Sequence, residues 1–370
     1  MLKRIPGALA GLAAMAMLLT ACGGDDSEST SSGGGGDESA KAKVGVILPD
    51  AASSARWETA DRKFLGEAFE AAGVEYDIQN ANGDKAKFST IADQMLSGGV
   101  TVLMIVNLDS PSAAAVIKKA SDQGVPTIDY DRLTLSGKAS YYVSFDNVAV
   151  GTAIGEGLVS CMQKNGDDSG EVALLNGSPT DNNATLFKQG YEEAITGAGY
   201  SVAADQSVPD WDNTKAGTIF EQMYTKANGN FVGVAAANDG LGGAVAAVLG
   251  RNGQAGKIPT TGQDATAEGL QRVLLGTQCM TVYKAVKKEA DAAAKLAVAL
   301  GKGDDAGADA LATDTVKDTE ADTDVKSVLL EPQGITQDSV KDVVADGYVA
   351  AGDVCTNAAL KKACTEFGVQ

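Results

Sequence analysis

Short, almost continuously apolar runs recur through this chain, and the stretches between them carry helical periodicity. The runs fall at 44–48, 74–78, 102–106, 126–130 and 141–145, then again at 172–175, 202–208, 231–236, 258–261 and 280–283. Helical patterns lie at 56–72, where Phe64, Leu65 and Phe69 are the apolar points, and at 88–96 and 112–123. In the second half they lie at 183–196, 213–227, 241–252 and 266–275. A strand that is apolar on both faces must be covered on both faces, and helices between parallel strands do this. The pattern predicts an α/β chain of two similar doubly wound lobes, and there is length for about 150 residues in each.

Ahead of this pattern the chain changes character. Lys3 and Arg4 precede an apolar run, 5–19, that ends in Leu19-Thr20-Ala21-Cys22. A basic start, an apolar stretch and small residues before a cleavage point predict a secretory signal over 1–21. The run is too short for a comfortable membrane span. Cys22 directly after Leu-Thr-Ala resembles the lipobox of bacterial lipoproteins, whose Cys carries the acyl chains. Residues 22–42 are almost all small or charged. Such a composition cannot bury a core and reads as a flexible, lipid-anchored linker. The folded body is expected from Lys43 onward, extracytoplasmic, touching the membrane only through the anchor.

Composition excludes several chemistries. The net charge of −19 argues against nucleic acid and against a polybasic membrane patch. The chain has no histidine, which removes His-based triads, His metal ligands and His general bases. No zinc-type cysteine spacing is present, and neither a metal nor a cofactor is expected. Besides Cys22 there are Cys161, Cys279, Cys355 and Cys364. In an exported chain they suggest two disulfides with three possible pairings. Cys355 with Cys364 is favoured as a local clip, and Cys161 with Cys279 by elimination.

In doubly wound sheets, ligands sit outside the carboxyl ends of the strands. Those ends carry Asp131-Arg132, Asp146-Asn147, 176–183, Asp210-Trp211, Asn238-Asp239 and Gln263-Asp264. Carboxylates and amides bind adjacent sugar hydroxyls in pairs, Arg and Lys donate to sugar oxygens, and indoles stack on the apolar ring face. The two tryptophans, Trp57 and Trp211, both lie at strand-to-helix junctions. Each Asp or Asn there also suits a helix N-cap, and a lone Trp suits core packing. The constellation points to a sugar site. A glycosidase would need a raised-pKa acid close to a second carboxylate, such as Asp131 with Asp264. Both sit beside Arg, Asn or Gln, which suits holding hydroxyls, so no enzyme is expected.

Eight segments in order resemble the periplasmic binding proteins of the ribose-binding type, and within them the D-xylose-binding branch of ABC importers. They are Ala55-Arg56-Trp57, Asn80-Ala81-Asn82-Gly83, Tyr130-Asp131-Arg132, Ser144-Phe145-Asp146-Asn147, the stretch 177–184, Asn238-Asp239, Gly262-Gln263-Asp264-Ala265 and Met280-Thr281-Val282-Tyr283-Lys284. The resemblance implies a type I periplasmic binding protein fold with a three-crossing hinge near Asn147, Lys284 and Lys326. It divides the body into 43–147 plus 284–326 and 148–283 plus 327–370. It implies that Arg56, Trp57, Asp131 and Arg132 meet the sugar from one lobe. Asp181, Asn183, Trp211, Asn238 and Asp264 meet it from the other, with Lys284 at a hinge crossing. Which of Asn182 and Asn183 points inward stays open. The implied function is capture of a monosaccharide, D-xylose in the first place, by a monomer that delivers it to an ABC permease. Glucose, ribose or arabinose as ligand, or presentation of sugar to a receptor, are the alternatives. The chain departs from the family in its C-terminal tail with Cys355 and Cys364, and 303–324 reads as a surface elaboration.

Overall fold

The computed structural model describes residues 42–370. The signal, Cys22 and the linker up to position 41 lie outside the described residues. Ala42, counted above with the linker, is 5% exposed, and its carbonyl accepts from the Glu75 amide at 3.3 Å. The first half runs β1 (Lys43–Leu48), α1 (Arg62–Ala72), β2 (Glu75–Asn80), α2 (Lys85–Ser97), β3 (Val102–Ile105), α3 (Ser110–Asp122), β4 (Thr127–Tyr130) and β5 (Tyr141–Phe145). Then come α4 (Asn147–Lys164), β6 (Glu171–Asn176), α5 (Asn182–Gly197), β7 (Ser201–Ser207), α6 (Asn213–Lys226), β8 (Gly233–Ala236), α7 (Asp239–Arg251), α8 (Ala267–Leu274) and β9 (Thr281–Tyr283). The chain continues with α9 (Val286–Gly301), α10 (Asp305–Leu311), β10 (Asp314–Asp318), β11 (Thr323–Leu330), β12 (Gln333–Ile335), α11 (Val340–Ala345), α12 (Ala351–Val354) and α13 (Ala358–Phe367).

The first sheet has seven strands in the order β10-β11-β5-β4-β3-β1-β2, all parallel except β10. Val44, Val46 and Leu48 of β1 face a core shared with Phe64, Leu65 and Phe69 of α1 and with α9. Ile47 faces the opposite core, made with Phe88, Ile91 and Met95 of α2 and with α3. That two-sided burial is why the strand reads as an unbroken apolar run. The second sheet is parallel, in the order β7-β6-β8, and packs with α4, α5, α6 and α7 in one cluster. Helices start where the sequence supplies caps: Asp84, Asp109, Asp146, Asp212 and Thr266 each accept a first-turn amide.

The two sheets are less alike than the apolar runs suggested. The run 258–261 makes only single bridges, Val234 with Thr260 and Ala255 with Ile258. Pro259 has no amide hydrogen to continue a ladder. The run 280–283 becomes β9, which pairs antiparallel with β12 outside both main sheets. The helical pattern expected from 56 opens with a π-helical turn, Trp57–Asp61, before α1. The stretch 303–324 is not a mere surface elaboration. It supplies α10, the edge strand β10 and the turn into β11, with Ala308 and Asp318 fully buried.

The chain passes from first-sheet to second-sheet elements after Phe145, returns after Tyr283 and leaves again after Leu330. Lys326, expected at the last crossing, lies inside β11. Ser327 to Leu330 pair with Tyr142 to Phe145, so the first sheet holds the chain a little further than 326. The tail helices α11 to α13 pack against α8, with Leu270, Val273, Val343 and Leu360 in one cluster. Cys355 is bonded to Cys364 and Cys161 to Cys279, with Cα separations of 6.2 and 6.5 Å. No helix among the described residues is long and apolar enough to cross a membrane.

Candidate ligand-binding site

The carboxyl ends of five parallel strands, β1, β4, β6, β7 and β8, and the segments after the Thr260 bridge and β9 converge on one chamber between the two sheets. The loop after β1 brings Arg56 and Trp57, and the end of β4 brings Asp131 and Arg132. Asp181 and Asn183 follow β6, Trp211 follows β7, Asn238 follows β8, Asp264 follows the Thr260 bridge, and Lys284 follows β9. These ten residues line a single cavity of ≈ 20 Å³, room for about one water, whereas Asp146, Asn147, Asp210 and Asp239, also named at strand ends, do not line it. A wider groove of ≈ 560 Å³ borders it and shares Ser53, Arg132, Asp181 and Trp211.

The chamber is held by charge pairs and hydrogen bonds, some within one sheet's loops and some, such as Arg132 to Asp181 and Ser54 to Asp264, from one sheet's loops to the other's. Arg56 Nη1 donates to Asp131 Oδ2 at 3.0 Å, and Lys284 Nζ donates to the same oxygen at 3.1 Å. Lys284 Nζ also stands 3.8 Å from Asp264 Oδ1. Arg132 Nε pairs with Asp181 Oδ2 at 3.0 Å, and Trp211 Nε1 donates to that oxygen at 3.0 Å. Ser54 Oγ donates to Asp264 Oδ2 at 2.8 Å, and Asn238 Nδ2 donates to the Ser53 carbonyl at 3.2 Å. The cap role and the site role coincide: Asp181 Oδ1 accepts from the Asn183 amide, and Asn238 Oδ1 from the Leu241 amide. The guanidinium carbons of Arg56 and Arg132 lie over the Trp57 ring, 4.5 and 5.4 Å from its centroid. Trp211 meets Phe187 edge to face at 6.5 Å.

The backbone is strained here. Asp131, Trp211, Asp264 and Ala265 all have positive φ, at 63°, 55°, 96° and 50°. Each costs about 1–3 kcal/mol and persists only where the surroundings over-determine it, which is typical of ligand clamps. The charges are tuned as well. Burial pushes the Asp131 carboxyl up, but Lys284, Arg56 and Arg132 more than offset this and hold it below the usual carboxylate range. An acid held ionised this way is a hydrogen-bond acceptor, unsuited to protonating a leaving group.

Ser53, Ser54 and Phe187 also line the cavity and were not singled out from the sequence, and Gln263, named there only as a strand-end residue beside Asp264, lines it too. Phe187 did leave a signal, four residues after Asn183 on the same face of α5. The serines are too ordinary in loops to stand out. Asn183 is the inward one of the neighbouring asparagines: it is 2% exposed, and Asn182 is only half-buried. Among the described residues no group of His, Cys, Asp and Glu side chains is spaced to hold a metal.

A polar chamber between two α/β units, with Asp131 held as an acceptor between two cations, is the arrangement of a ligand-binding protein. The chain belongs to the periplasmic binding protein family: residues 44–305 match the periplasmic binding protein domain. Among its relatives is the D-xylose-binding periplasmic protein of Escherichia coli (strain K12), 33% identical over 83% of this chain and 91% of that protein. The multiple sugar-binding periplasmic receptor ChvE of Rhizobium radiobacter is 30% identical over 83% of this chain and 90% of its own. An ABC transporter solute-binding protein from Clostridium phytofermentans, solved with bound β-D-glucose, superposes with a TM-score of 0.75. It is 25% identical and matches over 84% of this chain and 99% of its own.

Proposed function

We propose that this protein captures a monosaccharide, D-xylose in the first place, in the chamber between the sheets and delivers it to an ABC permease for import. The observation that carries this reading is the convergence of Arg56, Asp131, Asp181, Asn183, Asn238, Asp264 and Lys284 on one cavity walled by Trp57, Trp211 and Phe187. Paired carboxylates, amides and cations around aromatic faces are what a ring of hydroxyls with an apolar face requires. The relative from E. coli is named for D-xylose, which supports that sugar. The two units move as lobes about the crossings after Phe145, Tyr283 and Leu330. The walls part to admit the ring, and the sugar's bonds to both lobes favour the closed form. The protein acts as an extracytoplasmic monomer tethered through lipid on Cys22.

A second reading keeps the same mechanism with another sugar. The glucose-bound structure from C. phytofermentans and the multiple-sugar receptor from R. radiobacter are both similar to this chain. Calorimetric titration of residues 43–370 with D-xylose, D-glucose, D-ribose, L-arabinose and D-galactose separates the two. Tight one-to-one binding of xylose with the rest much weaker supports the first, and preference for another sugar supports the second. No binding of any of them rejects both. For the tether, Cys22→Ser releases the protein from membranes; continued attachment refutes it.

A further inference from the structure

Arg56 is gripped from behind by two carboxylates that do not line the chamber. Its Nε donates to Asp61 Oδ2 and its Nη2 to Asp61 Oδ1, both at 2.8 Å, a bidentate fork. Nη2 also donates to Glu289 Oε2 at 2.9 Å, and Nη1 to Asp131 at 3.0 Å. A guanidinium has five N–H donors in a fixed plane. The one left over belongs to Nη1, the nitrogen that reaches the chamber residue Asp131.

The gripping residues are themselves fixed. Asp61 closes the π-helical turn that begins at Trp57, and Tyr130 Oη donates to its Oδ1 at 2.7 Å. Glu289 lies in the first turn of α9, just beyond the hinge-crossing residue Lys284. Both carboxyls are 0% exposed, and Glu289 Oε1 is buried without a partner. Burial, together with the charges of Asp131 and Asp61, pushes the Glu289 carboxyl up despite Arg56. An isolated arginine would sample many rotamers and lose that freedom on binding, whereas this one is ordered beforehand.

We propose that Asp61 and Glu289 are positioning residues for the ligand site: they hold three of the five Arg56 N–H groups so that only the Nη1 edge meets the ligand. The proposal rests on the sugar-binding reading for its ligand, though not for the grip itself. Loss of the grip costs affinity through Arg56 alone.

The test combines sugar titration with arginine side-chain ¹⁵N NMR on the sugar-free protein. Asp61→Asn and Glu289→Leu are each expected to weaken sugar binding by about tenfold, the equivalent of one charged hydrogen bond. Glu289→Gln, which keeps an oxygen facing Nη2, is expected to restore most of what Glu289→Leu loses. In an Arg56→Met background the added Asp61→Asn is expected to change the dissociation constant less than about twofold. In the NMR spectrum the Arg56 Nε–H, assigned by its loss in Arg56→Lys, is a shifted, slowly exchanging signal that Asp61→Asn abolishes. Unchanged affinity in Asp61→Asn and Glu289→Leu, or an Arg56 signal like that of a free arginine, overturns the proposal. If the double variant fails to fold, the NMR signal and the Glu289 pair decide. A held Arg56 signal in a wild-type protein that binds no sugar rejects the sugar reading and upholds the grip.

Discussion

Asn183 Nδ2 donates to the Asp131 carbonyl oxygen at 2.8 Å and reaches the Asp131 carboxylate at 3.3 Å. The first turn of α5 thereby closes on the strained end of β4, where Asp131 has φ 63°. Tyr142 Oη and Ser144 Oγ donate to the same carbonyl at 3.0 and 2.8 Å. Asn183→Ala is expected to weaken sugar binding by about tenfold, the worth of one hydrogen bond to a charged partner. Asn182→Ala is expected to change it little. Equal effects in a calorimetric comparison would refute the assignment.

Asp131 is the shared partner of two buried cations, Arg56 at 1% and Lys284 at 4% side-chain exposure. Removing one partner of a buried pair leaves an uncompensated charge, at a cost of about 3–5 kcal/mol. Asp131→Ala is therefore expected to lose both sugar binding and stability, read as a lower denaturant midpoint. A variant that binds nothing yet unfolds at the wild-type midpoint would show that the pairing contributes nothing to the fold.

Gly177 follows β6, and a Cβ placed on it would stand 2.0 Å from the Trp211 ring. Gly177→Ala must displace an indole that is 5% exposed and packed in the second core. The expected cost is about 1–3 kcal/mol of stability, together with weaker sugar binding and an altered near-ultraviolet signal from Trp211. An unchanged spectrum and dissociation constant would mean that the ring has room to yield.

Two buried carboxyls predict how stability depends on pH. Burial pushes Asp129 up to about 7, against the hydrogen bonds from Thr134, and Asp239 up to about 6, against Arg272. An unfolded Asp titrates near 3.9, so between about pH 4 and 7 the folded state holds more protons than the unfolded one. This contribution is complete below about pH 4 and lost as pH rises through 6 and then 7. The denaturant midpoint is expected to be higher at pH 5 than at pH 7.5, with the difference reduced in Asp129→Asn. A midpoint that rises over this range would refute the assignment.

The two disulfides close loops of very different length, with sequence separations of 118 and 9. In the chain-entropy account the longer loop is worth about 4–5 kcal/mol and the shorter about 2–3 kcal/mol. Peptide mapping without reduction is expected to join Cys161 to Cys279 and Cys355 to Cys364. Cys161→Ser is expected to lower Tm more than Cys364→Ser. Peptides carrying free thiols at these positions would refute the pairing.

Much of the first sheet was legible because its strands are buried on both faces, so β1, β3, β4 and β5 appear as apolar runs. Helix α4 was not. Its Gly- and Ala-rich sequence, 147–164, packs closely on α5 through small residues and so shows little apolar periodicity. The hairpin β10–β11 was equally hidden, because Lys317, Asp322 and Asp324 give it the composition of a surface loop. Neither Asp61 nor Glu289 stands out in the sequence, because a charged side chain is usually left in water.

The sequence by itself determined the α/β class and the gathering of the chamber residues. In parallel strands every carboxyl end faces the same edge, so polar residues that follow such strands are brought to one side, and packing then selects which of them line the chamber: Asp131 does and Asp146 does not. Only the tertiary structure decided between Asn182 and Asn183. Neighbouring helix positions point about 100° apart, and the docking of α5 onto α4 selects which one turns inward. Tertiary contact also decided that Asp61 and Glu289 are buried against Arg56. Side-chain burial depends on what a distant segment lays over it, and residues 56, 61, 131 and 289 meet only when the sheet, the π-helical turn and α9 are packed together.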